Sequence, residues 1–166
     1  MRATIAAMLV LMAASACGFE PLYATRGGRS AADGLSEIKV NVISDRLGQQ
    51  LRNELLDRLN PYGAAARPRY ALDVSLRETR TELDLRRDAT STFSKFEIAA
   101  DFALTDLQSG QVVLRGNSRS TTSITLLRQT FANLSAAEDA RQRGVREISE
   151  DMRVRLADFM ARRSAG

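Results

Sequence analysis

The sequence has no histidine, no tryptophan and a single cysteine, Cys17. Without an imidazole there can be no Ser-His-Asp triad and no Cys-His pair. Zinc sites draw on several Cys or His ligands, and an internal disulfide takes two cysteines. Enzymology is left with carboxylate-only or Lys/Tyr chemistry. The expectation is therefore a protein that is not an enzyme, with no metal and no cofactor. Aromatic residues make up only 5% of the chain. A nucleic-acid reader more often shows a basic stripe with stacking aromatics, so that class is set aside. No Gly-rich phosphate loop is present, because Gly27-Gly28 precedes no helix. No repeat recurs at a period of about 20 to 50 residues.

What is there suits one domain of ordinary size: 166 residues, 44% of them hydrophobic. Lys plus Arg is 24 against 20 for Asp plus Glu, a net charge of +4. Only Lys39 and Lys95 are lysines; the other cations are arginines, whose forks bind phosphate and carboxylate bidentately. The bland alternative is a preference for Arg on solvated faces.

The N-terminus speaks to the compartment. Met1-Arg2 is a short positive start, and Ile5 to Ala14 is an apolar run of ten residues. A helix crossing a bilayer takes about 20 residues, so this run reads as an export signal rather than a span. Ala14-Ser15-Ala16 then places small residues directly before Cys17. That arrangement resembles the bacterial lipobox, in which lipid is added to the Cys sulfur and cleavage falls just before it. The resemblance implies a signal peptide over 1–16, lipid attachment at Cys17 and anchoring rather than spanning. Gly18 follows the cysteine where an Asp would retain such a protein at the inner membrane. The implied address is the outer membrane, on its periplasmic side. Residues 17–34 read as the lipidated start and a flexible tether, since Ala24 to Gly34 is rich in Gly, Ala and Ser. A single α+β domain is expected over 35–166.

Within that domain, Ile38, Val40 and Val42 alternate and predict a strand over 37–43. Ser44 and Asp45 are helix N-cap types, and Leu47, Leu51, Leu55 and Leu59 recur at four-residue steps. They predict an amphipathic helix closed by Asn60-Pro61. Tyr70, Leu72, Val74 and Leu76 alternate as a second strand, with continuation toward Leu85. Phe96, Ile98, Ala100, Phe102 and Leu104 mark the clearest strand. Gln108-Ser109-Gly110 turns the chain into a fourth strand over 112–119. Ser135-x-x-Glu138 has the form of a capping box. From there Ala137, Ala140, Val145, Ile148, Met152, Leu156 and Phe159 share one face of a long helix ending near Arg162. The fold class is α+β: two amphipathic helices on one face of a four-stranded mixed, mainly antiparallel sheet.

Three stretches invite a functional reading. Glu78, Glu82, Asp84 and Asp88 alternate with Arg77, Arg80, Arg86 and Arg87. A salt-bridged hairpin is the simpler account than paired catalytic acids. Arg86-Arg87, next to Thr90, Ser91 and Thr92, offers a grip for a phosphate; the alternative is a polar loop. Ser118 to Thr125 is polar and β-prone, either a solvated sheet edge or an edge offered to a partner strand.

The chain after the lipobox opens Cys17-Gly18-Phe19-Glu20-Pro21-Leu22-Tyr23. That run resembles the LPS-assembly lipoprotein family, LptE, in its alphaproteobacterial form. Arg52-Asn53-Glu54-Leu55, the 96–104 strand, Phe131-Ala132-Asn133-Leu134 and the long final helix are also similar to it. The resemblance implies an outer-membrane lipoprotein that plugs the β-barrel of LptD, supports its folding and helps deliver lipopolysaccharide to the outer leaflet, with no reaction catalysed. A plug in a polar barrel lumen wants a hydrophilic exterior. It also implies lipopolysaccharide contacts from basic residues before the third strand, here Arg86, Arg87 and Lys95. A second basic region near the start of the last helix holds Ser135 and Ala136 here, with Arg128 and Arg141 the nearest cations. The alternatives are a substrate-binding or scaffold lipoprotein of another envelope transport system, and a periplasmic hydrolase using two close carboxylates.

Overall fold

The computed structural model describes residues 31–61, 63, 67–84, 92–126 and 129–164. Its elements run α1 (Ala31–Ser36), β1 (Ile38–Val40), α2 (Asp45–Leu59), β2 (Tyr70–Asp84), β3 (Thr92–Asp106), β4 (Val112–Leu126) and α3 (Thr130–Ser164). The four strands form one sheet in the order β1-β2-β3-β4. β1 lies parallel to β2, while β2–β3 and β3–β4 are antiparallel. This is the mixed, mainly antiparallel α+β sheet that the sequence pattern predicts, with α2 and α3 as the two amphipathic helices.

Strand alternation sorts side chains onto two faces. Tyr70, Leu72, Phe96, Ile98, Ala100, Phe102 and Leu104 point to the helix side and are buried. All but Phe96 join Leu51, Leu55 and Leu59 of α2 and Val145, Ile148, Met152 and Leu156 of α3, which are essentially inaccessible to solvent, while Phe96 packs with Ile124, Ala137 and Ala140. Each such side chain withdrawn from water stabilises the fold by about 1.5–3 kcal/mol. The leucine steps in α2 and the seven-residue apolar face of α3 are thus the two covers of a one-sided sheet.

Two glycines let the covers come close. Gly48 of α2 sits where a Cβ would lie 2.7 Å from Ile43 Cγ2 and 3.1 Å from the Ile43 backbone carbon. Gly144 of α3 sits over Ile98 and Ser120, with a Cβ position 2.8 Å from Ile98 Cδ1. In the β3–β4 turn, Gly110 adopts φ 68° and donates its N–H to the Asp106 carbonyl at 2.8 Å. That left-handed conformation favours glycine.

Several element ends differ from the sequence expectation. The first strand stops at Val40 rather than Ile43. Asn41 donates its N–H to the Leu72 carbonyl at 3.0 Å and its Nδ2 to Asp73 at 2.7 Å, and then the chain lifts off the sheet. Ile43 turns into the core while Val42 is 85% exposed, so the alternation that buries Ile38 and Val40 breaks once the chain leaves the ladder, and Val42 does not share their face as the sequence pattern predicts. Ser44 occupies the N-cap position of α2 without a side-chain capping hydrogen bond. The Asn60 end behaves as expected: its N–H reaches the Leu56 carbonyl at 2.8 Å, and its buried Nδ2 reaches the Ile38 carbonyl at 3.1 Å. The capping box at Ser135 does not start the last helix, which begins at Thr130. Nothing in Phe131 to Leu134 breaks a helix, so the turn before Ser135 is helical too and the box lies inside it. The fourth strand runs to Leu126 and absorbs the polar 118–125 run. Finally, α1 begins at Ala31, four residues before the expected domain start, and puts Leu35 into the core.

Candidate ligand- and partner-facing surface

The sheet face away from the helices carries the polar alternates of each strand. From β2 come Asp73, Ser75, Arg77 and Thr79. From β3 come Lys95, Glu97, Asp101 and Thr105, and from β4 Arg115, Asn117, Arg119, Thr121, Ser123 and Thr125. Register places them in rows: Thr81, Lys95 and Ser123 share one row, and Thr79, Glu97 and Thr121 the next. Each row sets like-facing side chains within about 5 Å of one another.

Lys95, singled out in the sequence, lies on this open face toward the end of the sheet from which residues 85–91 depart. Its Nζ is 3.4 Å from Glu97 Oε2, and Arg119 Nε is 3.4 Å from Glu97 Oε1. Two cations from the neighbouring rows therefore flank one carboxylate, leaving excess positive charge on this part of the face. Asp84 and Thr92 are cross-strand partners, so the two ends of the 85–91 connection start side by side. Arg86 and Arg87 fall in that connection, outside the described residues, as do Cys17 and Arg128. Arg119 was not singled out by the sequence; the signal was its position four residues past Arg115 in an otherwise polar strand.

Nearer the other end, Asp101 accepts from Asn117 Nδ2 at 2.7 Å, and Asp73 from Asn41. Asp73, Asp101, Arg115, Ser75, Ala103 and the exposed Val42 line a shallow depression of about 460 Å³. On the far side of the molecule, Gln50, Asn53, Asp57, Gln142 and Arg146 line a groove of about 240 Å³ between α2 and α3.

The helix-covered side of the sheet has its own charged assembly. Two guanidinium groups lie against the Phe96 ring, Arg80 5.5 Å and Arg141 5.2 Å from its centre. Arg141 Nε donates to Glu78 at 2.8 Å, and Arg80 pairs with Ser94 at 2.9 Å and Glu82 at 2.8 Å. The alternating acids and arginines of β2 thus act as a salt-bridged strand. Arg141, one of the two cations nearest the expected second basic region, is paired with Glu78 and lies against the Phe96 ring.

Two carboxyls sit below the usual carboxylate range. Asp106 is held down first by the Gln108 backbone N–H (2.9 Å), then by Ser109 N–H, Arg69 and Arg163, against an opposing contribution from burial. Arg163 Nη2 reaches it at 3.2 Å. Glu150 is lowered first by its hydrogen bond from Arg153, at 2.6 Å, and then by Arg153 and Arg58 charge, again against burial. Each is an anchor: Asp106 ties the β3–β4 turn to the end of α3, and Glu150 ties α3 to Arg58 of α2. Among the described residues no cluster of three His, Cys, Asp or Glu is placed to hold a metal ion, and no helix is long and apolar enough to cross a membrane.

No family model and no curated protein matches this chain. Solved structures do. A candidate lipoprotein from Caulobacter crescentus superposes with a TM-score of 0.63 at 23% identity, over 79% of this chain and 96% of that one. The fold is shared. A minor lipoprotein from Acinetobacter baumannii superposes with a TM-score of 0.56 at 11% identity, over 73% of this chain and 90% of that one. The two-helix, four-strand unit described above is therefore nearly the whole of both of those proteins.

Proposed function

We propose that this chain is a lipid-anchored, non-enzymatic protein of the outer membrane that plugs and helps assemble the LptD β-barrel and takes part in lipopolysaccharide transport. The observation that carries the reading is the fold held in common with two bacterial lipoproteins over nearly their full length, in a chain whose sequence places Cys17-Gly18-Phe19-Glu20-Pro21-Leu22-Tyr23 behind a lipobox-like run. Both features point to the same kind of envelope protein from independent directions. The mechanism is steric and recognitive. A thioether-linked lipid on Cys17 holds the domain at the periplasmic leaflet; two or more acyl chains anchor stably where one does not. The polar open face suits a hydrated barrel lumen. Arg86 and Arg87, which the sequence sets between β2 and β3, and Lys95 meet lipid A phosphates through charge-assisted hydrogen bonds.

The test is an affinity purification of the full-length protein from detergent-solubilised outer membranes, with mass spectrometry of what co-elutes. A large barrel protein at one-to-one stoichiometry is the expected result. Recovery of inner-membrane transporter subunits instead would overturn the plug reading in favour of a scaffold for another envelope system. Labelled palmitate incorporated by the native chain and absent from Cys17→Ser tests the anchor separately.

A further inference from the structure

The sheet has two outer edges, and they are built differently. β1 pairs only with Tyr70 to Leu72, so β2 is unpaired on its outer side from Asp73 onward. That edge is studded with charge: Asp73, Arg77, Glu78, Arg80 and Glu82. Alternating charges of both signs are a common guard against unwanted strand pairing. The opposite edge is β4, a strand of 15 residues. Among the described residues it has β3 on one side, α3 over one face and no strand on its other side. Its pairing with β3 is unbroken from Leu126 back to Leu114, and the one irregularity lies beyond, at Leu104/Thr105. From Asn117 to Thr125 it has a single charge, Arg119, and no proline. A long, regular, weakly charged edge presents a ready row of backbone donors and acceptors.

We propose that β4 is a docking edge that receives an extended acidic segment of a partner protein as a fifth strand. The occupant's chemistry follows from the open-face side chains of β4. Arg115 and Arg119 stand four residues apart on one face, roughly 13–14 Å along the strand. A strand laid alongside sets its own side chains about 5 Å away. Acidic residues four apart in the incoming segment therefore meet both arginines. A second copy of β4 fits poorly, because Val112 to Leu126 contains no acid and self-pairing brings arginines together. The chain's own residues 17–30 fit no better, since they hold one acid, Glu20, against Arg26 and Arg29, and so cannot meet both arginines. The inference does not depend on which protein supplies the segment, and so stands apart from the barrel reading.

The test uses the full chain in detergent, labelled with nitrogen-15. The probe is the peptide Thr-Glu-Thr-Val-Thr-Glu-Thr-Val-Thr, with a second peptide in which both Glu are Lys. The expected result is shifted and exchange-protected amides along 117–125 with the acidic peptide, and none along 73–84. The double variant Arg115→Glu/Arg119→Glu weakens the acidic peptide about tenfold, as two cross-strand pairs turn from attractive to repulsive, and gains affinity for the Lys peptide. Because Arg119 also meets Glu97, Arg115→Glu alone is the second variant, with a smaller shift in the same direction. Equal binding of the two peptides, perturbation along β2, no perturbation at all, or self-association through β4 would each overturn the proposal.

Discussion

The two halves of the sheet are held by different means. Where β1, α2 and the second half of α3 converge, one apolar cluster gathers Ile38, Leu51, Leu55, Leu72, Phe102, Leu104, Met152 and Leu156 among others. Toward the 85–91 connection the buried cluster shrinks to Phe96, Ile124, Ala137 and Ala140. There the helix-facing positions of the strands are Glu78, Arg80, Ser118 and Ser120. The contacts of two guanidinium groups with the Phe96 ring take over the role that aliphatic packing has at the other end. The lesson concerns where stability resides and where it is spared. Folding free energy concentrates at the end furthest from Asp84 and Thr92. The polar end is held by contacts each worth about 1 kcal/mol or less, which leaves it open to adjustment by a ligand or partner.

The largest effect should come from truncating the aliphatic end. Leu156 is fully buried in the large cluster. Leu156→Ala is expected to lower unfolding free energy by about 3 kcal/mol, from lost transfer energy plus the cavity left behind. Ile124→Ala, in the small cluster and 7% exposed, is expected to cost less than half as much. Urea denaturation of both variants checks this. Equal losses would break the comparison and show one continuous core.

Acid sensitivity sharpens it next. Asp106 sits at the aliphatic end with its carboxyl held below an ordinary Asp value of about 3.9. A carboxyl depressed in the folded state contributes stability that is present above its unfolded pKa and is lost as pH falls through the folded one. Asp106→Asn should therefore destabilise the protein at pH 7 and flatten the fall in melting temperature below about pH 4. A variant that loses stability equally at every pH would mean that the turn hydrogen bonds alone matter. Glu150, lowered by Arg153, contributes a second, parallel acid-sensitive link between the helices.

How much of this was legible in the sequence follows from which forces are local. The leucine steps of α2 and the apolar face of α3 were readable because burial alone sets their period. Phe96 to Leu104 was readable for the same reason. The start of α3 was not, because a capping box marks a helix end only when the preceding residues leave the helix, and Phe131 to Leu134 stay in it. Nor was α1, whose one clear signal is Leu35 amid residues that suit a tether. The surface was half legible. Lys95 and the polar 118–125 run were visible as features, whereas the Glu97 bridge to Arg119 depends on strand register. The commitment of Arg141 to Phe96 and Glu78 depends on a contact between residues 63 positions apart. No local pattern encodes such a pairing.

The smallest effect, and the most discriminating, belongs to that arginine. Arg141 donates to Glu78 at 2.8 Å and lies 5.2 Å from the Phe96 ring centre, with its side chain 27% exposed. A partly exposed ion pair and a cation–π contact together are worth about 1 kcal/mol. Arg141→Gln should therefore barely move the global unfolding midpoint. Its mark should be local, in faster hydrogen exchange of backbone amides at 76–82 and 94–98, with those of Leu72 and Leu104 unchanged. Arg141→Lys should restore only part of the protection, because an ammonium loses the planar stacking on Phe96. If exchange quickens evenly over the whole sheet, the two ends unfold as one unit and their different construction has no dynamic consequence. If it quickens only at the polar end, that end opens separately, and the surface bearing Lys95 and Arg119 can rearrange around a bound anion without disturbing the aliphatic core.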